Sequence, residues 1–272
     1  MKLHFALVEG IRSNPMKGIV GTCPNCDCQL VAKCGEERIH HWAHRGRRNC
    51  DAWHENETQW HRDWKSLFPE EWHEISHKAE SGERHIADLK RPDGLVVEIQ
   101  YSHIDPTERR KREDFYKTVV WIVSGLRLKR GTSGFEKALC GSQLINKKPP
   151  IFSASTSDSP LLRKWVSSTK TVFFDFGDHV IANDKLDGVR EPLLWRLDPS
   201  SSEETALLTP IFKSQIVADI TKSEIGQGTT SGLFERIKLP KRPAPRVPDP
   251  IPRLGFSRYL ANKRIQRSRR RF

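Results

Sequence analysis

The sequence predicts an α/β protein in which a mixed-sheet core is preceded by a small cysteine-rich module and followed by a basic tail. Three observations predict it. Five of the six cysteines, Cys23, Cys26, Cys28, Cys34 and Cys50, fall within 28 residues near the amino terminus. Between Trp53 and Gly125 the apolar pattern runs as helix, strand, turn, strand, helix, strand. The last 35 of 272 residues hold 12 Lys and Arg, one acid and six prolines. The predicted divisions are an N-terminal module at 1–52, a core at 53–130, an accessory region at 131–237 and a tail at 238–272.

The clustered cysteines are local chemistry, since a disulfide framework would be spread along the chain. Cys23-Pro-Asn-Cys26 has the two-residue spacing that lets two thiolates share one tetrahedral metal. The second pair comes either from His41 with His44 or from His44 with Cys50. The preferred set is Cys23, Cys26, His44 and Cys50, because residues 45–49 can turn the chain back. Four such ligands fit a structural Zn²⁺ and leave no open position for catalysis, so the module is expected to resemble a zinc ribbon. Clustered thiols in a reducing compartment favour zinc over disulfides.

Residues 55–68 read as a helix with Trp60, Trp64, Leu67 and Phe68 on one stripe. Glu57, His61 and Lys65 recur along its border every four residues. They either support one another as neighbours on the helix surface or place Glu57 near a metal.

Residues 84–89 and 95–102 read as strands around Pro92-Asp93-Gly94, a sequence suited to a three-residue hairpin loop. That loop pairs Arg91 with Leu95, so paired positions sum to 186 and Asp88 faces Glu98. Two carboxylates roughly 5 Å apart repel unless a cation lies between them. Mg²⁺ or Mn²⁺ suits such hard oxygen donors and also joins phosphate oxygens. Gln100 projects from the same face as Glu98.

Asp105-Pro106-Thr107-Glu108 is a helix start with N-cap, first-position Pro and third-position Glu, and the helix is expected to reach about Lys117. Arg109, Arg110 and Arg112 on it, with Lys65, are candidate contacts to a nucleic-acid backbone; a solvated helix face is the other reading. Residues 119–123 follow as a buried strand. Beyond it, 131–170 read as loop-rich, 171–176 and 179–182 as a hairpin turning at Gly177-Asp178, and 193–220 remain ambiguous.

The chain carries a formal +12, but the tail alone holds +11, leaving 34 basic against 33 acidic residues elsewhere. The tail reads as a disordered arm, because its prolines favour extended chain and its like charges repel. A positive excess favours acidic polymers, which makes DNA the expected partner. No stretch approaches the ~18 apolar residues of a membrane span, and Met1 to Gly10 lacks a signal peptide's pattern. The expected location is cytoplasmic, without a membrane partner.

His41-Trp42-Ala43-His44, Glu57 with His61 and Lys65, Gly82-Glu83-Arg84 through Ala87-Asp88, Glu98-Ile99-Gln100, Ser102, Glu108-Arg109, Tyr116 and Trp121-Ile122 occur in an order that resembles the competence protein CoiA family. The resemblance covers roughly residues 20 to 125. It implies a restriction-endonuclease-like, PD-(D/E)XK core, with Asp88 and Glu98 as metal ligands and Glu57 as an auxiliary acid. The general nuclease pattern has Lys where this chain has Gln100, which removes a cation that Lys65 or Lys90 can supply from nearby. The expected function is metal-dependent DNA hydrolysis with Glu57, Asp88, Glu98 and Gln100 as catalytic residues. The alternative is a catalytically inactive DNA-binding accessory protein in recombination.

Overall fold

The computed structural model describes residues 2–222 except 38, 47–49, 54–56, 128, 180, 182–185, 187–188 and 190. The predicted tail at 238–272 lies outside the described residues. No helix among the described residues is long and apolar enough to cross a membrane.

The first 44 residues form an antiparallel sheet from β1 (Ala6–Val8), β2 (Ile11–Ser13), β3 (Val20–Thr22), β4 (Gln29–Lys33) and β5 (His41–His44), in the order β2-β1-β3-β4-β5. Such short strands bury little by themselves. Leu3, Ala6, Cys23, Leu30 and Trp42 make the small core. Gly21 is required there by space, because a Cβ at that position would lie 2.8 Å from the Ala6 Cβ and 3.3 Å from the Trp42 ring.

The second sheet has nine strands: β6 (His73–Lys78), β7 (Arg84–Lys90), β8 (Val96–Gln100), β9 (Val119–Ser124), β10 (Gln143–Lys147), β11 (Pro150–Ser155), β12 (Thr171–Asp175), β13 (Leu193–Leu197) and β14 (Thr205–Phe212). Their order is β10-β11-β14-β13-β12-β9-β8-β7-β6. The central strands β8, β9 and β12 run parallel and the other pairings are antiparallel. Buried on both faces, the parallel strands are near-continuous apolar runs such as Val119-Val-Trp-Ile-Val123.

Helices α1 (Gln59–Lys65) and α5 (Lys213–Thr221) cover one face, with Trp64, Phe68, Ile216 and Ile220 packed on Val97, Ile99, Val120, Ile122 and Phe173. Helices α3 (Lys129–Cys140) and α4 (Pro160–Trp165) cover the other, with Phe135, Leu139, Leu162 and Trp165 packed on Trp121, Val123, Phe174 and Trp195. Helix α2 (Pro106–Tyr116) is the crossover between β8 and β9. Its Asp105 cap, N-terminal Pro and end before Lys117 are as the sequence predicts.

Four expectations are corrected. Residues 131–212 are not an appended region: they supply five of the nine strands, and β12 pairs directly with β9. Both edges of β12 are taken, by β9 and by β13 with Phe174 opposite Trp195, so the partner expected at 179–182, of which 180 and 182 lie outside the described residues, does not flank it. Leu67 is 41% exposed, because α1 ends at Lys65 and the stripe is completed by Phe68 instead. Strand β6 was not expected, since Ile75 is the only aliphatic residue in His73–Lys78; it is the polar edge of the sheet.

Candidate functional site

Two clusters of ligating side chains lie close together in the fold. In the first, the ligand atoms of Cys23, Cys26, His44 and Cys50 all lie within 4.8 Å of one another. The turn after β3 brings Cys23 and Cys26 together, and the end of β5 places His44. Cys23 Sγ is 3.7 Å from Cys50 Sγ, and Cys26 Sγ is 3.2 Å from His44 Nε2. Bonds of ~2.3 Å to a tetrahedral zinc would put two sulfurs a little under 4 Å apart, so this Cys₃His set could hold a structural metal such as zinc. Burial and the neighbouring Cys23 push the Cys50 thiol up. His41, the alternative ligand, is outside the set and bonds the Ile39 carbonyl through Nδ1.

The Cys₃His cluster is tied to the large sheet. The buried Asn25 donates from Nδ2 to the Cys50 carbonyl and accepts at Oδ1 from the Ser76 hydroxyl of β6. Asp51, next to Cys50, accepts the Ile86 N–H of β7 at 2.7 Å and pairs with His85 at 2.8 Å. Burial lowers the His85 pKa, but Asp51 and Glu83 outweigh it, and the net shift is upward.

The second cluster begins at the β7–β8 turn. Arg91 N–H bonds Leu95 O, Gly94 N–H bonds Arg91 O, and Gly94 has φ 92°, a value that favours glycine. The register pairs Leu89 with Val97 and Lys90 with Val96, as the sequence predicts. At Asp88 the backbone ladder opens, and the Ile99 N–H is taken instead by Asp88 Oδ2 at 2.9 Å. The opening leaves a cavity of about 30 Å³, room for one or two water-sized occupants. Glu57, Lys65, Glu74, Asp88, Glu98 and Gln100 line it.

The electrostatics are uneven across this cavity. Glu98 Oε2 is held by Arg112 at 3.0 Å, while its buried Oε1 has no hydrogen-bond partner among the described residues. Burial, then the charge of Asp88, pushes the Glu98 carboxyl up to about 7. Lys65 stands on the other side, 3.2 Å from Glu57, 3.3 Å from Glu74 and 3.5 Å from Asp88. Burial opposes its charge, but Glu74, Asp88 and Glu57 together hold its pKa above the ordinary value. Gln100 Nε2 donates to the Ser102 carbonyl at 3.3 Å.

The structure therefore brings Glu57, Lys65, Asp88, Glu98 and Gln100 together and revises the basic residues. Arg109 is buried, bonded to Ser167 and the Lys164 carbonyl and paired with Glu113; Arg112 is buried against Glu98, Glu108 and the Trp53 carbonyl. Neither is open to a phosphate backbone, and Lys65 is committed to the carboxylates. Arg110 remains exposed. Lys90 is directed to His77 and not into the cavity. Helical spacing alone does not show which part of a basic run faces the core.

Two functional positions escaped the sequence reading. Glu74 lies on β6 in line with Asp88, with a left-handed φ of 46°, and its Oε2 accepts the His4 N–H at 2.7 Å. Its signal was hidden in a polar edge strand. Asp175, buried at the end of β12, accepts both indole N–H groups of α1, from Trp60 at 2.9 Å and Trp64 at 2.7 Å. It thereby fixes the helix that carries Lys65. Asp175→Ala is expected to cost about 2–4 kcal/mol, since two indole donors lose their acceptor, and Asp175→Asn less, because an amide oxygen still accepts. Denaturant midpoints of the two variants check this; equal midpoints with wild type would remove the role.

Compared with protein-family models, with curated proteins and with solved structures, the chain gives no match in any of the three.

Proposed function

We propose that the protein is a metal-dependent phosphodiesterase acting on DNA, with a restriction-endonuclease-like core and a zinc-stapled N-terminal module. The observation that carries this reading is the buried, unbonded Oε1 of Glu98 beside Asp88 in a cavity also lined by Gln100 and Lys65. A buried carboxylate oxygen without a donor among the described residues is suited to a cation, and hard oxygen donors fit Mg²⁺ or Mn²⁺. Asp88 and Glu98 would hold the ion, with Glu57 near enough to bind directly or through water. A bound divalent ion would supply charge neutralisation and a more acidic water.

The remaining tasks fall to the chain's own residues. Gln100 orients the attacking water, and the Lys65 ammonium offsets negative charge developing on the phosphate, standing in for the cation absent at position 100. Arg112 holds Glu98 in place. The exposed Arg110 and the +11 tail provide sequence-independent attraction to DNA. The order α1, β6, β7, β8, α2, β9 supports the fold assignment, and the link to competence or recombination rests on the family resemblance.

The test is cleavage of single-stranded and duplex DNA with Mg²⁺ or Mn²⁺. Asp88→Ala and Glu98→Ala are each expected to lose at least about 10²-fold in rate. Unchanged activity in both would refute the site. Lys65 favours a second reading, a non-catalytic DNA-binding accessory protein, since its ammonium already compensates three of the four carboxylates. That reading expects salt-dependent DNA binding, indifferent to Asp88→Ala, and no cleavage.

A further inference from the structure

We propose that the cleft at the carboxyl ends of β8 and β9 is a nucleotide subsite, taking one base, sugar and phosphate of a DNA strand next to the bond to be cut. It rests on the phosphodiesterase reading and adds a place for substrate beyond the carboxylates. The cleft has a volume of about 250 Å³ and is lined by Tyr101, Arg127, Arg130, Pro160, Lys164 and Trp165, among others. That is just below the ~300–1,000 Å³ usual for small-molecule sites.

Its position ties it to the first site. Strand β8 passes from Gln100 directly into Tyr101 and Ser102 of the cleft wall, and the Gln100 side chain bonds the Ser102 carbonyl. A strand lying across Gln100 would therefore reach the cleft with its neighbouring nucleotide. The Tyr101 ring also packs 5.8 Å from Trp60 of α1.

Its chemistry selects the ligand. Arg127, Arg130 and Lys164 face a cleft whose lining, among the described residues, contains no carboxylate, and none of the three is ion-paired there. Burial and then the neighbouring Arg127 hold the Lys164 pKa below its ordinary value. Cations that repel one another without a counter-charge accept a phosphate through charge-assisted hydrogen bonds. The remaining wall is apolar, from Pro160 and the buried Trp165, and the half-buried Tyr101 ring is the one placed to stack on a base, a surface wasted on an inorganic anion.

Calorimetric titration of the full-length protein with thymidine monophosphate, thymidine and inorganic phosphate, without added divalent metal, tests the assignment. Thymidine monophosphate is expected to bind at least about tenfold more tightly than either fragment, and the Arg127→Ala/Lys164→Ala double variant to lose about tenfold or more. Wild-type affinity in that variant, or inorganic phosphate bound as tightly as the nucleotide, would overturn it. Asp88→Ala is expected to keep nucleotide binding. If Asp88→Ala retains cleavage instead, the catalytic site fails while the titration still decides the subsite.

Discussion

Replacing Lys65 by methionine is expected to destabilise the fold by about 3–5 kcal/mol at neutral pH, although the two side chains are nearly the same size. Lys65 is the cation that Glu57, Glu74 and Asp88 share, and its removal leaves them buried with weaker partners. Among the described residues Glu57 would keep Arg62 at 2.9 Å, and Asp88 only the Ile99 N–H. The pH dependence follows from the shifts. Burial raises the Glu57 pKa, but Lys65 and Arg62 together hold it below its ordinary 4.5, so its contribution is present above that value and lost as pH falls through the folded one. Lys65 is shifted upward, so its own contribution is complete below its ordinary 10.5 and is lost only as pH rises through the still higher folded value. The deficit of Lys65→Met is therefore expected to be largest between about pH 5 and 10 and to shrink in acid, where the acids protonate. Urea midpoints at pH 4 and pH 7 measure it; a variant as stable as wild type at pH 7 would remove Lys65 from the centre of the cavity's electrostatics.

Removing the proposed structural zinc is expected to have the larger effect on the N-terminal sheet. Zinc contributes about 10–16 kcal/mol in small folds that depend on it, and this module has a five-residue buried core and three strands of only three residues. Protein purified without chelators is expected to carry one zinc per chain. Cys23→Ser/Cys26→Ser is expected to carry none and to expose Trp42, readable as a red-shifted tryptophan emission. A zinc-free wild type with unchanged stability in chelator would reject the assignment. The loss should spread to the carboxylates, because Leu3 lines their cavity and the His4 N–H holds Glu74.

How much was legible in the sequence differs from element to element. The Asp88–Glu98 juxtaposition was readable because it is local: Pro92-Asp93-Gly94 admits few turns, and the turn sets the pairs Lys90–Val96 and Leu89–Val97 that lead up to it. Helix α2 was readable for the same reason, since Asp105 and Pro106 act on the backbone beside them. Among the alternatives left open for the metal ligands, proximity in the fold selects Cys50 over His41. Strand β6 was illegible, because an edge strand with one aliphatic residue lacks the alternation that marks strands.

The sequence by itself determined the elements whose causes are short in range: the cysteine knuckle, the hairpin register, the capped helix and the split of charge between a near-neutral body and a basic tail. Tertiary structure alone decided which charges are spent and which are free. Arg109 and Arg112 belong to a basic run that reads like a binding surface, yet both are consumed by Glu113, Glu98 and Glu108, while Arg127, Arg130 and Lys164, scattered over 38 residues, converge on one cleft. The physical reason is that burying a charge requires a partner, and partners are supplied by whatever the fold packs alongside, often from more than 50 residues away, as with Asp175 and the tryptophans of α1.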